Sequence, residues 1–227
     1  MPSTPHLVSD VMTQPVAAVD HQARFKEIVR TLRSRRVSAV PVLSAERRVI
    51  GVVSEADLLP KEGFREADPA RLERLRESDD VRRAEAVTAG ELMTSPAVTV
   101  LADATLAQAA RTMARSSVKR LPVVDGNGLL VGIVSRSDLL KVFLRSDDDL
   151  AQEVRQVLGK LFTVPEKELD VAVVDGVVTL SGHVRDRSLV PVMARLVRGI
   201  EGVVDVSFDV TGGASVRAVP SGVSSPF

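Results

Sequence analysis

Apolar positions along the chain come in two rhythms. Short, near-continuous runs have the length and β-branched content of buried strands: Val40-Pro41-Val42-Leu43, residues 49–53, Leu121-Pro122-Val123-Val124 and residues 129–134. Ahead of them, Ala23, Ile28, Val29 and Leu32, and again Ala104, Ala109, Ala110 and Met113, recur at helical spacing. A weaker β-rich stretch precedes each helix, Val16-Ala17-Ala18-Val19 in one case and Ala97-Val98-Thr99-Val100 in the other. The strand pairs are joined by Ala45-Glu46-Arg47-Arg48, which is charged, and by Asp125-Gly126-Asn127-Gly128, a strong turn signal. A helix beginning at Ser54 or Ser135 closes each unit, so the order β-α-β-β-α is written twice.

The two units are copies. Gly51-Val52-Val53-Ser54-Glu55-Ala56-Asp57-Leu58-Leu59 returns 81 residues later as Gly132-Ile133-Val134-Ser135-Arg136-Ser137-Asp138-Leu139-Leu140. The same offset matches Met12-Thr13 to Met93-Thr94, Pro15 to Pro96, Arg30-Thr31 to Arg111-Thr112, and Pro41-Val42 to Pro122-Val123. Between residues 11–59 and 92–140, sixteen positions are identical without a gap. This is an internal duplication.

Residues 60–90 lie between the copies and are dense in Arg, Glu and Asp, with Pro69 placed to start a helix. They predict a solvated helical connector. After Ser146 the pattern changes. Asp147-Asp148-Asp149 suits the positive end of a helix, and Leu150, Val154, Val157, Leu158 and Leu161 form its apolar stripe. Residues 171–174, Asp175-Gly176 and 177–180 predict a hairpin. A second helix is predicted at 188–199, with Leu189, Val192, Met193, Leu196 and Val197 on one face, and a strand at 203–210. This region reads α-β-β-α-β.

The fold class is therefore α+β. Its parts are a first repeat at 7–59, the connector at 60–90, a second repeat at 91–145, a small domain at 147–212 and an aperiodic tail at 213–227, expected to be disordered.

Composition narrows the chemistry. Thirty basic residues balance thirty acidic ones among 227, so no nucleic-acid footprint is expected. The absence of Cys excludes disulfides, thiolate zinc sites and thiol nucleophiles. His6, His21 and His183 lack metal-ligand spacing, and no phosphate-binding glycine loop or nucleophile elbow is present, so neither metal, cofactor nor catalytic residues are expected. No secretory signal or bilayer-length apolar run is visible, and a cytoplasmic location is expected. Trp and Tyr are absent, so a flat ligand must lie against aliphatic groups and backbone.

The duplicated unit resembles the CBS domain, on Met-Thr-x-Pro, the Leu-Pro-Val-Val strand and Gly-apolar-apolar-Ser-x-x-Asp-Leu-Leu. Residues 147–212 resemble a BON domain, on Asp-Gly-Val-Val-Thr-Leu-Ser-Gly and Gly-Ile-Glu-Gly-Val-Val-Asp-Val. The resemblance implies a paired module with an adenosine-binding cleft, a homodimer, and a membrane-surface or interaction role for the BON region.

The Ser-x-x-Asp phrase suits such a ligand. A helix N-terminus offers N–H groups to phosphate, the serine adds a hydroxyl, and the aspartate can accept from ribose hydroxyls. The same spacing is also close to a capping box, in which the acid reaches back to the helix start. By resemblance the candidate residues are Ser54, Asp57, Ser135 and Asp138. The copies differ around them: Thr99 stands against Ala18, Lys119-Arg120 against Ser38-Ala39, and Arg136 against Glu55. These differences favour the second phrase as the stronger site. Arg185, Arg187, Arg195 and Arg198 are a weaker signal for contact with anionic lipid.

The expected function is a non-enzymatic sensor that takes AMP, ADP, ATP or another adenosine-type ligand and signals through the BON-like region. The alternative is a dimeric structural or membrane-surface adaptor without ligand.

Overall fold

The computed structural model describes residues 6–63, 79–161, 169–184 and 186–211. The expected tail, the middle of the connector with Pro69, and Arg185 lie outside them. The chain divides into two compact units, one formed by His6–Leu139 and the other beginning at Leu140.

In the first unit each repeat makes a three-stranded sheet. Strands β1 (Val19–Asp20), β2 (Ala39–Leu43) and β3 (Val49–Ser54) lie in that order, with β1 parallel to β2 and β2 antiparallel to β3. Strands β4 (Val100–Leu101), β5 (Arg120–Val124) and β6 (Leu130–Ser135) repeat the arrangement. Helices Phe25–Arg35 and Leu106–Arg115 make the parallel crossovers. Each buries one narrow stripe, Ile28 and Leu32 in the first, Leu106, Ala109 and Met113 in the second. Val29 and Ala110, expected on those stripes, are exposed at equivalent positions. The helix is covered on one side only, and the residue after each buried position turns 100° away. The lead-in stretches supply only two strand residues each, because parallel pairing begins at Val19 and Val100.

The repeats exchange their beginnings. Helix Val8–Val11 precedes the first sheet in sequence but docks on the second repeat, where Val8 and Ser9 donate N–H bonds to the Ala104 and Ala102 carbonyls. Helix Ala89–Leu92 reciprocates, with Ala89 and Gly90 donating to Ala23 and His21. Accordingly Ala86, Ala89 and Leu92 complete the core formed by Ile28, Leu32, Val40, Val42 and Val53. Thr13 then pairs with Ile133 through both backbone bonds, and Thr94 with Val52. Glycine is needed at Gly51 and Gly132 by this crossing: a Cβ at either would overlap the thioether of Met93 or Met12, respectively.

The second unit packs helices Asp147–Leu161 and Val190–Arg198 on a sheet of β7 (Leu169–Val174), β8 (Val177–His183) and β9 (Asp205–Thr211). Strands β7 and β8 form an antiparallel hairpin, and β9 runs parallel to β8. At the hairpin turn Asp175 and Gly176 both have positive φ, 50° and 74°. The Asp147 carboxylate accepts the N–H groups of both turn residues at 2.9 Å. The acidic run thus pins a turn as well as sitting at a helix start. The second helix is shorter than its predicted span, preceded by a 3-10 turn at Arg187–Leu189. Met193 and Val197 are buried there, whereas Leu189 and Val192, expected on the same face, are exposed. Leu161, at the end of the first stripe, is exposed as well.

Candidate functional site

Ser54 ends β3 in extended geometry and caps the short helix Glu55–Leu58. Ser135 ends β6 and leads into Arg136–Leu139 in the same way. Their aspartates, Asp57 and Asp138, are the buried charged residues among those described, at 7% and 9% exposure. A carboxylate at that depth requires partners. Asp57 Oδ2 accepts the Ser54 N–H at 2.8 Å and the Ser54 hydroxyl at 2.7 Å. Asp138 Oδ2 accepts the matching pair from Ser135 at 2.9 and 2.6 Å. The capping geometry is therefore present in both copies, and it uses one carboxylate oxygen.

The other oxygen of Asp57 faces a residue the sequence does not single out. Arg83, from the connector helix Asp79–Glu85, places Nη2 3.2 Å from Asp57 Oδ1. The same nitrogen lies 3.5 Å from the Thr94 hydroxyl. No spacing distinguishes Arg83 among the connector's arginines, and only the fold brings it here. Lys61 fixes the end of that helix, donating to the Ala84 and Ala86 carbonyls at 2.8 and 2.7 Å.

A cavity of about 410 Å³ opens beside the first phrase. Ser54, Glu55 and Asp57 form one wall, and Val52 and Ala39 extend it. Pro96, Ala97 and Val98, from the second repeat's lead-in, add aliphatic lining, together with Thr94. Lys119 and Arg120 supply positive charge. Both also stay beside the second phrase, where Arg120 pairs with Ser135 and the Lys119 carbonyl accepts the Arg136 N–H. The ends of β2 and β5 meet where the two repeats face each other, and the Arg120 guanidinium donates to the Ser38 hydroxyl at 2.7 Å. Residues 38–39 and 119–120 consequently line one cavity.

Thr99 is half-buried beside β4 and is not among the residues lining this cavity. Arg136 turns its guanidinium to the Val118 carbonyl at 3.1 Å. Among the described residues, no group of three His, Asp or Glu could hold a metal ion.

The site therefore joins a capped helix start, a buried carboxylate and an aliphatic slot, each half supplied by a different repeat. Residues 8–61 and 89–145 match the CBS domain family, and residues 146–212 match the BON domain family. The chain is a CBS domain pair followed by a BON domain. An uncharacterized protein of Methanocaldococcus jannaschii is 27% identical over 154 residues, 61% of this chain and 91% of that protein. The chloroplastic CBS domain-containing protein CBSX2 of Arabidopsis thaliana is 27% identical over 158 residues, 62% of this chain and 64% of its own length. A crystal structure of CBSX2 in complex with AMP superposes with a TM-score of 0.53 at 27% identity, covering 61% of this chain and 97% of that one. CBS pairs are typically regulatory rather than catalytic modules. Among the described residues no helix is long and apolar enough to cross a membrane.

Proposed function

We propose that this protein is a non-enzymatic, homodimeric sensor whose CBS pair binds an adenosine nucleotide beside Ser54 and Asp57. Occupancy is relayed to the BON domain, which contacts a protein or membrane surface. The observation that carries this reading is a cavity of about 410 Å³ lined by a buried carboxylate, two basic residues and an aliphatic wall. That size falls in the ordinary range for small-molecule pockets, about 300–1,000 Å³. The AMP complex of CBSX2 supports the ligand class.

In this reading adenine lies against Val52, Ala97 and Val98, and Asp57 accepts from ribose. Lys119 and Arg120 meet phosphate, with the hydroxyl and N–H groups at Ser54 nearby. Because both basic residues line this cavity, we assign the stronger site to the first phrase. Ser135, Arg136 and Asp138 form a second, weaker one, with Thr99 near its lead-in. The exposed equivalents Val29 and Ala110 on the two crossover helices support a symmetric dimer contact.

Calorimetry with AMP, ADP and ATP tests the assignment. One dominant site per chain is expected, weakened by added salt. Asp57→Ala should reduce affinity by at least about tenfold, the scale of one charge-assisted hydrogen bond. Asp138→Ala should change it less. If no adenine nucleotide binds at millimolar concentration, the sensor reading is wrong.

A further inference from the structure

Arg83 occupies the carboxylate oxygen that a ribose would need. Asp57 Oδ2 is committed to the Ser54 cap, and Oδ1 holds the Arg83 guanidinium at 3.2 Å. Arg83 also reaches the hydroxyl of Thr94, a residue that lines the cavity. The connector thus places a cation against the cleft's buried carboxylate. In the sequence, the position 81 residues before Arg83 is Pro2, so the duplication does not repeat this arginine.

Resting on the nucleotide reading above, we infer that Arg83 makes this cleft selective for phosphorylated adenosine over the bare nucleoside. The argument is one of charge partners. A ribose hydroxyl that takes Asp57 Oδ1 displaces the guanidinium, which then needs another acceptor. AMP carries one in its phosphate, and arginine is suited to phosphate through paired N–H donors. Adenosine carries none, so its binding leaves the guanidinium, 30% exposed, to solvent and to Glu85 and Glu91, which line a neighbouring pocket with it, in a helix whose end Lys61 holds in place. Arg83 therefore opposes adenosine and favours AMP, and these two effects have opposite sign. Lys119 and Arg120 could favour phosphate as well, but neither contacts Asp57, so neither predicts that removal improves nucleoside binding.

The test is calorimetry on the full chain with adenosine and with AMP, at one salt concentration, for wild type, Arg83→Gln and Arg83→Lys. Wild type should prefer AMP by at least about tenfold. In Arg83→Gln adenosine should bind more tightly and AMP less tightly, contracting the preference by about tenfold. Arg83→Lys keeps the charge and should retain most of the preference; it also serves if the glutamine variant fails to fold. If wild type binds AMP but Arg83→Gln shifts both ligands together, or neither, Arg83 is not the selectivity determinant, while the nucleotide reading stands. If neither ligand binds wild type or either variant, both fall.

Discussion

One carboxylate serves two purposes at Asp57, and the division is by oxygen atom. Oδ2 closes the helix cap and Oδ1 meets Arg83, so each substitution at this residue tests both contacts. Asp57→Asn keeps the shape but turns an amide toward either the Ser54 donors or the guanidinium. It should cost about 1–3 kcal/mol of stability, the scale of a buried polar group left facing the wrong partner. Ser54→Ala removes one donor to Oδ2 and the hydroxyl's own acceptor role in the capping box, and should cost about 1 kcal/mol. Urea unfolding of the full chain measures both. A larger cost for Ser54→Ala than for Asp57→Asn would show that the serine, not the aspartate, dominates this cap. Capping was legible from the Ser-x-x-Asp spacing. Arg83 was not, because an arginine in a charge-dense segment carries no local mark of what lies above it.

At the scale of elements, the exchanged beginnings make a cross-repeat test. Gly51→Ala forces a methyl group into the Met93 thioether, and overpacking of this kind costs about 1–3 kcal/mol. Shortening the obstructing side chain should recover part of that loss. The double variant Gly51→Ala/Met93→Ala should thus be less destabilised than the sum of its singles. Gly51→Ala/Met12→Ala should be additive, since Met12 packs on Gly132 instead. Additivity in both pairs would argue against the exchange. Helix Ala89–Leu92 offers a second test through acid. The N–H groups of Val87 and then Thr88 hold the Glu91 carboxyl below the ordinary glutamate range, against a smaller opposing effect of desolvation. A lowered folded-state pKa contributes stability that is present above the unfolded pKa and lost as pH falls through the folded one. Thermal scans from neutral pH downward should show Glu91→Gln losing less stability on acidification than wild type.

For the whole molecule, the described apolar core of the BON unit runs from Leu150 to Val206, with partly buried neighbours reaching Phe208. Independent folding is therefore expected, yet the unit begins before its family boundary. Arg145 donates to the Glu201 carbonyl and pairs with Glu153, each at 2.7 Å, and Gly202 approaches the Val142 carbonyl with φ at 98°. A fragment of residues 140–212 should unfold cooperatively and at a higher temperature than one of residues 147–212, which lacks these contacts. Matching melting temperatures would show that residues 140–146 add nothing. Light scattering on the full chain should return twice the mass of a single chain across the micromolar range. A single-chain mass there would contradict the proposed dimer.

Local chemistry alone determined the repeated β-α-β-β-α order, the helix starts at Ser54 and Ser135, and the Asp-Gly hairpin. Each depends on neighbours within a few residues, whose periodicity and turn preferences are written in order along the chain. The tertiary structure alone decided which copy completes which. Helix Val8–Val11 and helix Ala89–Leu92 each bury their apolar residues on the opposite repeat. Two copies of one sequence carry equivalent sticky faces, so nothing local distinguishes packing within a repeat from exchange between repeats. The tertiary structure also lets Lys119 and Arg120, still beside Ser135, line the cavity of Asp57, and sets Arg83 against that carboxylate.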